Sequence, residues 1–332
     1  MIIQAMTTTP AHISTQPPAL PSFITDGLSG VTKLTHLGVI RAAGADAATF
    51  LQGQLSQDVV GMGLDAARLA AFCNAKGRMQ ASFVTFKRKN AQGIEELLLV
   101  CCADILVQTL KRLTMFVMRA KVQLTDASAD FALYGVAGTA INIGAGYARS
   151  PWSRHDVDDT TNLFLYPGAG VERVLCCVPA NLPPPAGKVL PLNAWNWLEV
   201  QSGIAMISLP IFEAFVPQML NYESVGAVNF KKGCYPGQEV VARSQFRGTL
   251  KRRAYVVHGS GGAVVGQEVF HSSSAEQPCG LVAACAPNPS GGFDAIVSMQ
   301  TSAATDGVLT VGGPQGSPLS ILPLPYPLLD DI

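Results

Sequence analysis

Asn229-Phe-Lys-Lys-Gly-Cys-Tyr-Pro-Gly-Gln-Glu-Val-Val-Ala-Arg243 is the stretch of this 332-residue chain that is hardest to read as ordinary core or surface. Lys231 and Lys232 lie close to Cys234, and Gly233 and Gly237 bracket it. Tyr235 precedes a proline and is biased toward extended backbone. Pro236-Gly237 has the residue order of a type II turn, whose third position needs positive φ. Gln238 onward can open a helix, with Glu239 and Arg243 four apart on one face. A cysteine on a glycine-hinged loop, near a helix start and several cations, is favoured as thiolate. The plainer reading packs Cys234 beneath the Pro-Gly turn as a small apolar residue. Buried strand cysteines rarely have such basic neighbours, which favours the reactive reading.

The other seven cysteines contrast with it. None forms a C-x-x-C, and the pairs Cys101-Cys102 and Cys176-Cys177 sit in apolar runs that read as buried strands. This is neither a disulfide framework nor a zinc site, and a reducing cytoplasm is the expected compartment. His12, His36, His155, His258 and His271 are scattered, each reading as surface or core rather than as a base. No phosphate-cradling G-x-x-x-x-G-K-[ST], no strand-to-helix G-x-G-x-x-G and no H-E-x-x-H occurs, so conventional nucleotide and zinc enzymes are set aside.

Hydrophobic residues make up 48% of the chain and charged residues 14%, which excludes wholesale disorder. The formal net charge is +0, yet residues 254–332 hold six acids and no Lys or Arg, leaving +6 on residues 1–253. Bases without acids cluster at Lys76–Lys89 and at Lys111–Lys121, and seven bases share residues 231–253 with one acid, Glu239. These are three solvated faces or one anion-attracting surface, depending on how the fold arranges them. No basic residue precedes Lys33, so neither a signal-peptide n-region nor the arginines of a transit peptide are present. The uncharged run at 131–148 is broken by four glycines, so no membrane association is expected.

Residues 1–30, rich in Thr, Pro and Ser, read as a flexible arm. A strand around Leu37–Gly44 precedes a helix from Ala47 to about Gln57, with Asp46 as its N-cap and Gly53 marking a close backbone approach. Residues 67–89 read as two strands around a turn at Asn74–Gly77, and 94–104 as a third. Asp104 begins a helix through Phe116. Residues 122–138 give two more strands, 162–178 a hairpin around Pro167–Gly170, and Leu192–Ser202 a helix. One of Trp195 and Trp197 is expected inside, leaving the other to line a cleft or anchor the helix. After Arg253 the texture changes to five short strands separated by Gly, Ser and Pro, the pattern of a small all-β unit. The organisation expected is an α+β core over 31–248 and a β-barrel over 249–332.

Residues 230–243 resemble the signature of the YgfZ family of folate-binding proteins, relatives of the glycine cleavage T-protein (aminomethyltransferase) and of mitochondrial iron–sulfur assembly factors. Phe50–Asp58, Asn74–Arg78, Glu199–Gly203 and Pro217–Asn221 match further, in family order, so the likeness covers roughly residues 35–253. It implies a T-protein-like core of interleaved ferredoxin-like units closed by a C-terminal barrel. It also implies tetrahydrofolate as cofactor and a role in iron–sulfur cluster assembly or repair, associated in bacteria with tRNA-thiomethylating enzymes. The resemblance puts the functional signature at Lys232 and Cys234 and implies cofactor contacts from Gln238, Glu239 and Arg243, with Gln80. A folate-contacting tryptophan falls at Trp195, and a second contact position is Leu37 here.

T-proteins carry a carboxylate in the strand after the Asn-x-x-Gly turn; residues 76–86 hold no acid, and Gln80 or a neighbour takes its place. A neutral amide cannot act as a general base. The expectation is therefore a folate-binding accessory protein whose partners are iron–sulfur enzymes or assembly proteins. A folate-dependent aminomethyl transferase is the alternative, and an RNA-binding module ranks last. No resident metal is expected, since one chain offers no cluster-binding cysteine quartet; a transient cluster shared between chains stays open.

Overall fold

Alternation and apolar runs translate into two five-stranded antiparallel sheets and a closed barrel in the computed structural model, which describes residues 27–329 apart from 91, 145, 247–249 and 275. The expected arm over 1–30 lies mostly outside the described residues; from Gly30 the chain is already a strand. The first sheet has the order β1 (Gly30–Lys33), β7 (Phe131–Ala137), β10 (Val171–Pro179), β9 (Thr160–Gly168), β8 (Arg154–Val157). The second is β3 (Ala67–Cys73), β4 (Met79–Lys89), β5 (Glu95–Cys102), β2 (Leu37–Ala43), β6 (Gln123–Asp126). Its strands are inserted in sequence between β1 and β7, so the two sheets interleave.

Both predicted hairpins are present: β3 pairs with β4 across the Asn74–Gly77 turn, and β9 with β10 across Pro167–Gly170. Three helices pack on the core: α1 (Ala47–Gln52), α2 (Ala103–Thr114) and α3 (Leu192–Gln201). Helix α1 stops five residues short of the expected end. Asp46 does not cap it; its carboxylate accepts the Lys121 N–H at 2.7 Å instead. Gly53 meets no other segment, only the carbonyls of its own helix turn. The chain leaves the helix there because Ser56 and Gln57 are drawn onto another loop, Ser56 Oγ donating to Ala227 O at 2.7 Å.

The barrel consists of β11 (Arg252–Gly259), β14 (Phe293–Gln300), β13 (Gly280–Pro287), β12 (Glu268–His271), β15 (Leu309–Val311) and β16 (Ser317–Leu322). Sequence texture supplied five of these. β16 was missed because its Ser-Pro-Leu-Ser pattern reads as loop, although its place beside β11 and β15 is what closes the barrel. Val257, Val269, Phe293, Val297 and Met299 fill its interior. A separate cluster runs through the sheets from Phe72, Phe83 and Phe86 to Trp195 and on to Val256 and Ile296, on the outer face of the barrel turned to the sheets. Full burial of each such side chain contributes about 1.5–3 kcal/mol.

Core and barrel are also tied by polar groups. Arg253 on β11 and Glu223 form a buried ion pair at 2.6 Å. Beyond β16 the chain returns to the core, where Tyr326 Oη donates to Gly203 O at 2.8 Å, just past the end of α3. No helix among the described residues is long and apolar enough to cross a membrane.

Candidate functional site

Asn229 sets up the loop that carries Cys234. Its side-chain oxygen accepts the Lys231 and Lys232 N–H groups at 2.8 and 3.1 Å, an Asx turn that points Lys232 inward. Lys232 Nζ then donates to Leu55 O at 2.5 Å and to Gln52 O, carbonyls left open where α1 ends. It stands 5.0 Å from the centre of the buried Tyr235 ring. Burial pushes the Lys232 ammonium down to about 8, against the opposing pull of Asp58 and Cys234. A neutral amine keeps two N–H donors, enough for both carbonyls.

The expected turn is present: Gln238 N–H donates to Tyr235 O at 3.2 Å, and Gly237 has φ +79°. Helix α4 (Gln238–Phe246) follows it. A Cβ on Gly237 would stand 2.6 Å from Gly77 Cα, so this turn lies against the Asn74–Gly77 turn. Three of the sequence motifs thus meet at one place. Cys234 is exposed there, the only exposed thiol of the eight. Burial pushes Cys73, Cys101, Cys176 and Cys177 each up to about 12, which leaves them inert as nucleophiles near neutral pH.

The remaining predicted residues do not all gather there. Gln238 is half-buried at the start of α4. Glu239 and Arg243 pair with each other at 2.7 Å on the outer face of α4. Arg243 also borders a separate groove of about 830 Å³ with Lys251 and Arg252. Gln80 is buried beside the Asn74–Gly77 turn, where its Nε2 donates to Glu213 Oε1 at 2.7 Å. Asn74 Nδ2 donates to the same oxygen at 2.9 Å, and these two hydrogen bonds hold the Glu213 carboxyl below its usual range. Glu213 was missed because it arrives from a loop distant in sequence, in a left-handed conformation with φ +57°.

Trp195 and Leu37 line a second place, a cleft between the sheets and α3. The Trp195 ring lies against Gly135, where a Cβ would stand 2.5 Å from Cε3, and the Arg173 guanidinium stacks on it at 5.1 Å. Glu199, one turn further along α3, borders the same cleft. Burial would raise its carboxyl, but His36 at 3.7 Å and the charge of Arg173 hold it below the usual range. Arg173 Nη1 stands 4.0 Å from Glu199 Oε1, and the buried Trp195 indole N–H faces the same carboxylate.

Apolar walls, an indole, and a carboxylate with an arginine and an indole N–H beside it suit a flat, hydrogen-bonding heterocycle such as a pterin. The cleft measures only about 40 Å³, room for a few waters, so the partly exposed Leu37, Trp152 and Tyr166 must move for a ring to enter. Arg173 and His36 carried no signal in the sequence; Glu199 stood in the Glu199–Gly203 motif without an assigned role. Strand β3 joins the two places, Leu69 lining the cleft and Asn74 following the strand's end, about 17 Å along an extended chain. Among the described residues no group of three His, Cys, Asp or Glu is placed to hold a metal ion.

The glycine cleavage system aminomethyltransferase T of Bartonella henselae superposes with a TM-score of 0.64 over 94% of this chain and 91% of its own, at 14% identity. The fold is that of the aminomethyltransferase T-proteins. No family model matches the chain. The tRNA-modifying protein YgfZ of Klebsiella pneumoniae is 31% identical over 87% of this chain and 90% of its own. That of Yersinia enterocolitica is 29% identical over 90% and 92%. The chain belongs to the YgfZ family.

Proposed function

We propose that this protein binds tetrahydrofolate, or a one-carbon-substituted folate, and supports iron–sulfur enzymes such as those that thiomethylate tRNA. The observation that carries this reading is the division of labour between its two places. One is an apolar cleft that sets Arg173 and the Trp195 indole beside the Glu199 carboxylate; the other presents the single exposed thiol next to the half-buried Lys232.

Trp195 would stack on the pterin, Glu199 would accept hydrogen bonds from its ring nitrogens, and Arg173 would donate to it. A bound reduced folate supplies a redox-active or one-carbon-bearing ring. Cys234 acts as a transient thiolate ligand for iron in passage, the iron being cargo. Lys232 fixes the loop that carries Cys234 onto the end of α1. One exposed thiol per chain implies that any cluster is shared with a partner, an iron–sulfur enzyme or assembly protein.

Aminomethyl transfer remains the second reading, and Glu213 is the observation in its favour, since it brings a carboxylate to Gln80. That carboxylate is exposed, its Oε1 takes two amide donors, and its affinity for a proton is lowered, which makes it a weak base. In a bacterium lacking its own copy of the gene, Cys234→Ser and Lys232→Ala chains that remain folded should fail to restore thiomethylated tRNA. Full restoration by both would overturn the assigned roles.

A further inference from the structure

Helix α3 has two working faces. Trp195 and Glu199, four residues apart, border the cleft, while Trp197 and Gln201, also four apart, point away from it. That second pair converges on a single carboxylate oxygen in the barrel. Asp294 Oδ2, on β14, accepts Trp197 Nε1–H at 2.6 Å, Gln201 Nε2–H at 2.7 Å and Asn288 Nδ2–H at 2.8 Å. Its Oδ1 lies 2.7 Å from His258 Nδ1 on β11. Asp294 is 1% exposed, the one charged residue of its strand.

A buried charge is costly unless it is fully paired, and here four donors from three elements surround it. Two of the four come from the helix that carries the cleft residues. Rotation of α3 about its axis by one residue step, about 100°, would break both of these bonds and carry Trp195 and Glu199 out of the cleft wall.

We infer that Asp294 is a positioning residue for the folate cleft: the barrel holds α3 in the rotation that presents Trp195 and Glu199. Resting on the folate reading, the inference assigns the barrel a part in ligand binding without any barrel residue entering the cleft. The small size of the cleft increases the importance of the clamp. Leu37, Trp152 and Tyr166 have to yield to a ring, whereas the α3 wall supplies the fixed side against which it stacks.

The test compares donors to the same oxygen. Trp197→Phe and Gln201→Ala each remove an α3 bond to Asp294; Asn288→Ala removes one that does not involve α3. Each full-length variant is titrated with tetrahydrofolate, and amide hydrogen exchange over residues 192–201 is followed without ligand. The α3-side variants should bind roughly tenfold more weakly, the loss expected from one charge-assisted hydrogen bond. They should also exchange faster over α3, while Asn288→Ala stays near wild type in both readouts. Equal losses for all three would mean that Asp294 only stabilises the fold, and no change in exchange for Trp197→Phe and Gln201→Ala would overturn the clamp. If the wild-type chain binds no tetrahydrofolate, the folate reading fails by itself, and the exchange pattern still decides whether Asp294 holds α3.

Discussion

Gly237 and Gly77 meet backbone to backbone: a side chain on Gly237 would collide with the Asn74–Gly77 turn, and one on Gly77 would press on Val240 in the first turn of α4. A Cβ on Gly237 would stand 2.6 Å from Gly77 Cα, and one on Gly77 would stand 3.0 Å from Val240 Cβ. Both glycines are left-handed, with φ +79° and +72°. The contact fixes the loop carrying Cys234 against the hairpin of β3 and β4. It explains why two short motifs far apart in sequence each need a glycine at one particular place.

Gly237→Ala should therefore destabilise the protein by about 1–2 kcal/mol from backbone strain alone, before the clash with the 74–77 turn is counted. Thermal unfolding reads this as a loss of several degrees. A variant as stable as wild type would show that the two turns do not touch.

Alkylation under native conditions should modify one cysteine per chain. Cys234 is exposed, whereas Cys73, Cys101, Cys176 and Cys177 are buried thiols held up at about 12. Mass spectrometry after a short iodoacetamide pulse should find Cys234 labelled first and Cys234→Ser nearly unlabelled. Comparable labelling at a strand cysteine would contradict the burial described.

Lys232 gives a prediction with a definite pH sign. Its folded value of about 8 lies below the 10.5 of an unperturbed lysine, so the unfolded chain holds the extra proton more tightly between those values. Stability from this group rises with pH across that window and is lowest below about 8, where the folded state carries the desolvated charge. Measured against Lys232→Met, wild type should gain in unfolding temperature from pH 8 toward pH 10. A difference that shrinks over that range would reverse the assignment.

Removal of Glu223 should take from Arg253 the carboxylate of its 2.6 Å pair, while its Nη2 keeps Leu329 O. The Glu223 side chain is wholly buried, so Glu223→Ala should cost about 1.5–3 kcal/mol in denaturant unfolding, the worth of one buried charge-assisted hydrogen bond. A cost below about 1 kcal/mol, the value of a surface pair, would mean that water reaches the pair.

Local chemistry was legible in the sequence. Pro236-Gly237, the Asn74–Gly77 turn and the paired strands around it follow from turn residues and apolar periodicity, and all are present. The change of texture after Arg253 marked the barrel, whose first strand starts at Arg252. What could not be read depends on contacts distant along the chain. Asp46 looked like a helix cap until the Lys121 N–H claimed its carboxylate, and β16 looked like loop until β11 and β15 flanked it. Glu213 and Arg173 reach their places only through tertiary folding. Trp195 and Trp197 were seen as a pair, but the sequence could not say that one faces a cleft and the other grips Asp294 in the barrel.

The central claim is that a reduced folate occupies the α3 cleft, and an anaerobic calorimetric titration with tetrahydrofolate tests it most directly. Wild type should bind one equivalent saturably, and Glu199→Gln, which keeps the shape of the cleft but loses its charge, should bind roughly tenfold more weakly. Heat that fails to saturate in wild type, or affinity indifferent to Glu199→Gln, would contradict the account.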